Sequence, residues 1–256
     1  MQTLPESAML LPVREHAVKL FTKGWPDLAA LSEMAEGIVN GQGLPIKFVE
    51  DCGDEYERRI YLTGEIQTRN GSWHDLFNAL AWMTFPKTKS HLNSIHFEAL
   101  SSETGRNRGR ARDIATLFDE SGVIIASSDE SLSNQLRDFE WRSLFWENRK
   151  KVVETMRFYI FGHGLFEKAL APFVGLTGHG ILFHVEESFF SLPIEKQLAI
   201  LDESFEYRYA EIKTTRDFSP VPLLGYPGWS DENSVEAFYE NESYFRKGRR
   251  SGMRGS

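Results

Sequence analysis

Hydrophobic positions are densest between residues 73 and 85, where the chain is apolar on nearly every side of a helical projection. Ser72 ends a turn-forming Asn-Gly-Ser sequence just before this stretch. Pro86 follows it, and proline cannot continue a helix and restricts the residue before it. The pattern predicts a helix in the centre of the molecule, because a helix without a polar face is stable only when it is buried.

Weaker periodic patterns surround this stretch. Apolar residues at helical spacing predict further helices at 14–21, 26–39, 89–100, 131–170 with at least one break, and 193–212.

Short runs rich in β-forming residues predict the strands. Ile60, Leu62 and Ile66 alternate with polar residues and predict a strand within 57–68. Two apolar runs, at 114–118 and 123–126, are separated by Asp-Glu-Ser-Gly and predict a β-hairpin. Further strands are expected at 44–50 and 181–185.

Together the elements predict an α+β fold: a mainly helical single domain with a small β-sheet formed near 45–68, 114–126 and 181–185. The central helix is expected to lie against the helical region that ends at Pro172.

The composition changes after residue 217, where Pro220, Pro222 and Pro227 precede an acidic, aromatic stretch. We therefore expect a globular domain over 1–217 and an extended C-terminal arm over 218–245, packed on it by its rings. Residues 246–256 are basic and glycine-rich, and a disordered tail is expected there.

Composition and charge narrow the class of protein. Hydrophobic residues make up 41% of the 256 residues and charged residues 26%, which are ordinary globular values. The net charge of −8 argues against general binding of nucleic acid or anionic membranes. No apolar run reaches the roughly 20 residues that span a bilayer, and the N-terminus does not resemble a signal peptide. We expect a soluble cytoplasmic protein, and the sequence leaves its oligomeric state open.

Three polar residues interrupt the apolar central helix: His74, Asp75 and Asn78. His74 and Asn78 are four apart and share a helical face. A buried polar group without a partner costs about 1–3 kcal/mol, so these groups either bond to neighbouring loops or form a site. In the second interpretation His74 is an acid, a base or a metal ligand.

A second pair, His163 and Glu167, is also four apart, a spacing that lets the carboxylate orient the imidazole or share a metal with it. Gly162 and Gly164 flank the histidine. Glycine weakens a helix, but it also allows another segment to approach closely.

Four arginines lie within residues 106–112, and Arg108 and Arg112 are candidate ligands for a phosphate or carboxylate. Lys87 and His96 would add positive charge beside them. The alternative interpretation of the arginine run is a solvated loop.

A metal is a further possibility, because His74 with Asp75 and His163 with Glu167 would supply three or four nitrogen and oxygen ligands. Asn78 would then hold an imidazole from outside. Neither pair belongs to a known metal motif, and the single Cys52 offers no cysteine-based zinc site or intramolecular disulfide. The sequence therefore assigns no metal ligand and identifies no cofactor.

Several ordered motifs between residues 56 and 245 resemble the bacterial family named domain of unknown function 3025. They comprise Gly71–Leu80, Phe85–Lys89 with Asn93 and His96, Thr116–Glu120, Phe161–His163 with Glu167 and Lys168, Gly175–Gly178, and Gly225–Trp229. The resemblance implies a soluble proteobacterial protein. It carries no activity, cofactor or catalytic residue over to this chain.

Two function hypotheses follow from the residues. In the first, the protein is a hydrolase, a group-transfer enzyme or a small-ligand protein for an anionic substrate. Its site contains His74 as base with Asp75 and Asn78, while His163 and Glu167 face them. In the second, the protein is a non-catalytic binding or scaffolding protein in which the same polar residues are structural. The sequence leaves open whether the protein is an enzyme.

Overall fold

The computed structural model of the chain describes residues 4–50, 53, 55–101 and 106–248. Its α-helices are α1 (Arg14–Leu20), α2 (Leu28–Met34), α3 (Tyr56–Thr63), α4 (Trp73–Thr84), α5 (Pro86–Ser101), α6 (Arg106–Ser121), α7 (Glu130–Arg137), α8 (Arg149–Thr155), α9 (His163–Lys168), α10 (Ile194–Glu203) and α11 (Phe205–Tyr209). Its strands are β1 (Lys47–Val49), β2 (Glu65–Gln67), β3 (Gly122–Ser127), β4 (Met156–Ile160), β5 (Thr177–His184) and β6 (Ser219–Pro222).

The strands form two small sheets. Strands β1 and β2 pair in parallel, and the larger sheet has the order β4-β3-β5-β6. Within it β3 is antiparallel to β4 and parallel to β5, while β5 is antiparallel to β6. The fold is α+β and mainly helical, as the sequence predicts. None of the helices in the described ranges is long and apolar enough to cross a membrane.

Helix α4 is central, as predicted. The Ser72 hydroxyl accepts a hydrogen bond from the Asp75 backbone N–H at 3.2 Å and so caps the first turn. Every residue from Asp75 to Met83 is buried. Helix α4 ends just before Pro86, because proline cannot continue a helix. Pro86 is instead the first residue of α5, where the backbone N–H that proline lacks would have no partner within the helix.

The predicted contact of α4 with the segment before Pro172 is also confirmed. The contact is made by α9, and the rings of Phe77 and Phe166 stack with centroids 5.6 Å apart. This packing places the start of α4 beside the start of α9, and each of these ends carries a histidine.

The predicted hairpin at 114–126 is wrong. Helix α6 continues to Ser121, and strand β3 begins at the next residue, Gly122. Ile114 and Phe118 are buried and lie four positions apart, so they share one face of α6. A short apolar run does not distinguish a strand from one buried turn of a helix, and this ambiguity produced the error.

Two further sequence expectations need correction. The predicted strand at 57–68 is helix α3 followed by β2, because Gly64 ends the helix in a left-handed conformation with φ 73°. The predicted helical region at 131–170 contains strand β4 between α8 and α9. Residues 156–160 include aromatic and β-branched side chains, which favour strands, and β4 pairs with β3 in the larger sheet.

The C-terminal segment begins as β6, which lies at the edge of the larger sheet. An edge strand has no partner strand on its open side, so Pro220 and Pro222, which lack a backbone N–H, are tolerated there. Beyond it, Trp229, Tyr239 and Phe245 are buried. The division into a domain over 1–217 and an arm over 218–245 stays a prediction. Residues 249–256 of the predicted tail lie outside the described residues, as does Cys52.

Gly162 and Gly164 lie against the end of α6. A Cβ on Gly162 would lie 2.5 Å from the Ser121 backbone nitrogen and 2.6 Å from the Glu120 carbonyl carbon. A Cβ on Gly164 would lie 2.5 Å from the Glu120 Oε2 atom. The glycines permit the close approach that brings Glu120 beside His163.

Substitution of Gly162 by alanine tests this packing. Because the added methyl group meets backbone rather than a flexible side chain, Gly162→Ala is expected to lower the free energy of unfolding by about 1–3 kcal/mol. Gly109→Ala is the control, since no atom of the described part of the chain lies within 4 Å of its Cβ position in the exposed part of α6. That substitution is expected to stabilise by about 0.5–1 kcal/mol. Urea unfolding of both variants measures the difference, and equal effects would contradict the close approach.

Candidate functional site

A cleft of about 400 Å³ is lined by residues from α3, α4, α5, α6 and α9. Three larger clefts, of about 690, 720 and 510 Å³, lie elsewhere on the described surface. None of the three brings two imidazoles to one carboxylate, and the smaller cleft does. Its chemistry rather than its size makes it the candidate site.

Three side chains converge in this cleft: His74 from α4, Glu120 from α6 and His163 from α9. The two imidazole rings meet edge to face, with centroids 4.5 Å apart. The Nε2 atom of His163 lies 3.3 Å from Glu120 Oε1, and the Nε2 atom of His74 lies 3.8 Å from the same oxygen. We call these three residues the His–Glu–His centre.

The other nitrogen of each ring faces a second carboxylate. His74 Nδ1 lies 3.0 Å from Glu167 Oε2, at hydrogen-bond distance. His163 Nδ1 lies 3.6 Å from Asp119 Oδ2, an ion-pair contact without a hydrogen bond. Both rings are therefore turned so that Nδ1 faces away from the centre and Nε2 faces into it.

The carboxylates of α6 are held in the ionised form. A hydrogen bond from His163 and the nearby charges of His163 and His74 lower the pKa of Glu120 against the effect of burial. Burial raises the pKa of Asp119, but the charges of Lys89 and His163 outweigh this effect and the net pKa is lowered. Both groups carry negative charge at neutral pH.

Lys89 and Asp119 form a buried ion pair next to His163. The Lys89 Nζ atom lies 2.5 Å from Asp119 Oδ1, and its side chain is only 5% exposed. The ammonium group also lies 5.8 Å from the centre of the Trp82 ring. His96 is buried in the cleft wall near Asp119.

Asp75 and Asn78 also line the cleft, but their side chains are hydrogen-bonded to neighbouring residues of the protein. Arg69 donates two side-chain hydrogen bonds of 2.8 Å to the Asp75 carboxylate, and its backbone N–H donates a third of 2.7 Å. Burial raises the pKa of Asp75, but these bonds outweigh it and the net pKa is lowered. Asn78 donates to the Tyr56 hydroxyl at 2.8 Å, and burial raises the pKa of that tyrosine well above its usual value.

The structure thus brings the five residues of the predicted catalytic set to one place. The predicted anion ligands are more scattered. His96 lies in the cleft wall, whereas Lys87 pairs with Glu203 in a different cleft. Arg112 is exposed on α6 and does not line the cleft. The side chain of Arg108 lies outside what the structure describes.

The sequence did not single out Asp119 and Glu120 as site residues. The predicted hairpin places both residues in its loop. Their position at the end of α6 instead directs them at α9. The motif Thr116–Glu120, on which part of the family resemblance rests, contains both residues and was the available signal.

Comparison with known proteins gives one match. The model of a family described as "Protein of unknown function (DUF3025)" matches residues 46–249, a range that contains the whole cleft. No curated protein and no solved structure matches the chain.

The buried ion pair makes a prediction about stability. Lys89→Met leaves the Asp119 carboxylate without its cation, and breaking a buried pair costs about 3–5 kcal/mol. We expect a loss near the lower end of that range, because His163 still faces Asp119. Lys87→Met is the matched control: Lys87 and Glu203 are both exposed, so its loss is expected to stay below about 1 kcal/mol. Equal losses in chemical denaturation would contradict the role of Lys89.

Proposed function

We propose that this chain, which belongs to the DUF3025 family, is a hydrolytic or group-transfer enzyme whose active site is the cleft around His74, Glu120 and His163. One observation carries the proposal. Two imidazoles, each with Nδ1 facing a carboxylate, direct Nε2 at a single carboxylate oxygen inside an open cleft. Such a group of acids and bases is suited to activating a water molecule.

The contact between Glu167 and His74 supports a direct role for His74. A carboxylate that accepts a hydrogen bond from Nδ1–H fixes the tautomer and leaves the lone pair on Nε2. The His74 side chain is 35% exposed, whereas that of His163 is 8% exposed. His74 is thus the imidazole of the centre that substrate and water reach more easily.

The charge of the cleft bears on the substrate. Four lining residues are acidic, Glu57, Asp75, Asp119 and Glu120, and the lining guanidinium of Arg69 is already bonded to Asp75. The cleft offers little positive charge of its own to the anionic substrate that the sequence suggested. An anion would bind there with the help of an added cation.

The alternative, a non-catalytic binding or scaffolding protein, is favoured by the contacts of Asp75 and Asn78, which tie α4 to Arg69 and Tyr56. The same interpretation fits His74 less well. Its hydrogen bond to Glu167 joins two partly exposed side chains, and such pairs contribute about 0–1 kcal/mol. A structural role for His74 would require a larger contribution.

Activity and stability of His74→Ala separate the two functions. We expect the wild-type protein to hydrolyse at least one class in a panel of esters, amides, phosphate monoesters and phosphate diesters. Because loss of an acid or base group costs about 10²–10⁴-fold, His74→Ala is expected to lower that rate at least about 100-fold. Its free energy of unfolding should change by less than about 1 kcal/mol.

His184→Ala is the control for this assay, since His184 is an exposed histidine at the end of β5 that does not line the cleft. Its activity is expected to match that of the wild type. A wild-type protein that hydrolyses nothing in the panel would contradict the proposed function. So would a His74→Ala variant that keeps full activity, and a marked loss of stability without loss of activity would favour the structural alternative.

A further inference from the structure

We propose that the His–Glu–His centre is a binding site for one divalent transition-metal ion of the zinc type, with Nε2 of His74, Nε2 of His163 and a carboxylate oxygen of Glu120 as ligands. The inference rests on the proposed function for the role of the ion in the reaction, but its evidence is geometric. It also changes the ligand set suggested by the sequence, because Asp75 is bonded to Arg69 and Glu167 contacts the outer nitrogen of His74.

The spacing of the three ligand atoms fits such an ion. Zinc–ligand bonds of about 2.0–2.2 Å place the ligands of a tetrahedral site roughly 3.3–3.6 Å apart. The two Nε2 atoms lie 3.3 and 3.8 Å from Glu120 Oε1, and one ligand atom from each residue lies within 4.8 Å of the others. Small side-chain adjustments would close the remaining difference.

The orientation of the rings points the same way. Because Glu167 and Asp119 face the two Nδ1 atoms, a proton on each Nδ1 is favoured, and each neutral ring then directs its Nε2 lone pair into the centre. In this tautomer the two lone pairs and the carboxylate oxygen form a set of three ligands for a cation. Metal-binding histidines in proteins are commonly held by an outer carboxylate in this manner.

The carboxylates around the centre carry enough negative charge to balance a divalent cation. Asp119 is compensated by the ammonium group of Lys89. Within the described part of the chain, the ion-pair contacts of Glu120 and Glu167 are with histidines alone. When both imidazoles are neutral, neither carboxylate has a charged partner among these contacts, and a divalent ion would balance their two negative charges.

Three protein ligands leave a fourth position open towards the cleft. Catalytic zinc sites keep such a position for water, whereas structural sites fill all four positions with protein ligands. A zinc ion bound in this way would lower the pKa of a bound water towards about 7 and would add positive charge for an anionic substrate. The open position therefore connects the ion to the proposed hydrolytic function.

The test is metal content after purification without chelator or metal-affinity resin, followed by stripping and reloading with Zn²⁺ or Co²⁺. We expect about one equivalent in the wild-type protein, and visible absorption bands of four-coordinate Co²⁺. Glu120→Gln and His163→Ala are expected to retain less than about a tenth of an equivalent at the same ion concentration. Glu167→Ala, which removes an outer partner, should weaken binding about 10–100-fold.

His91→Ala is the matched control, because His91 also lies near a carboxylate, Glu206, but in a different cleft. It is expected to bind one equivalent. His163 is buried, so its variant can fail to fold, and Glu120→Gln then decides the test because it keeps the size of the side chain. Circular dichroism identifies any variant that is not folded.

The outcomes separate the two proposals. A folded wild-type protein that binds less than about a tenth of an equivalent overturns the metal site. So does a folded Glu120→Gln variant that binds as much metal as the wild type. Hydrolysis that persists in the metal-free protein then leaves the proposed function standing. One equivalent bound through Glu120, without hydrolysis of any substrate in the panel, upholds the metal site and contradicts the proposed function.

Discussion

The close approach of the end of α6 to α9 is the constraint on which the site depends. Gly162 and Gly164 have no side chains, and the backbone and carboxylate of Glu120 occupy the space where two Cβ atoms would lie. This contact sets Glu120 against His163, while the packing of Phe77 on Phe166 brings His74 to the same place. Three separate segments therefore converge without any loop being needed to carry a functional residue.

The charges around the centre divide into two groups. Asp75 with Arg69 and Asp119 with Lys89 are paired; the first contact ties α4 to the segment before it, and the second ties α5 to α6. Glu120 and Glu167 face imidazoles instead. A buried charge is costly unless it is paired, so the first group forms the rigid frame. The second group keeps a capacity to bind a cation or to transfer a proton.

Much of the helical frame of this site could be predicted from the sequence. Helix α4 followed from its apolar pattern with Ser72 and Pro86 at its limits, and the spacing of His163 and Glu167 indicated α9. Glu120 was missed because its segment was assigned to a hairpin, and a short apolar run does not distinguish a strand from a helical turn. The pairing of Glu167 with His74 spans 93 positions, so no local pattern contains it. The role of Arg112 as an anion ligand, although reasonable from residue type, stays a prediction, because the residue is exposed outside the cleft.

The most direct test of the account is anomalous X-ray diffraction from crystals of the zinc-loaded protein, measured above and below the zinc absorption edge. The account predicts one peak in the cleft, bonded to Nε2 of His74, Nε2 of His163 and the Glu120 carboxylate at about 2.0–2.2 Å. Glu167 and Asp119 should remain on the two Nδ1 atoms. The absence of a peak at the His–Glu–His centre, or a zinc ion held only by other residues, would contradict the account.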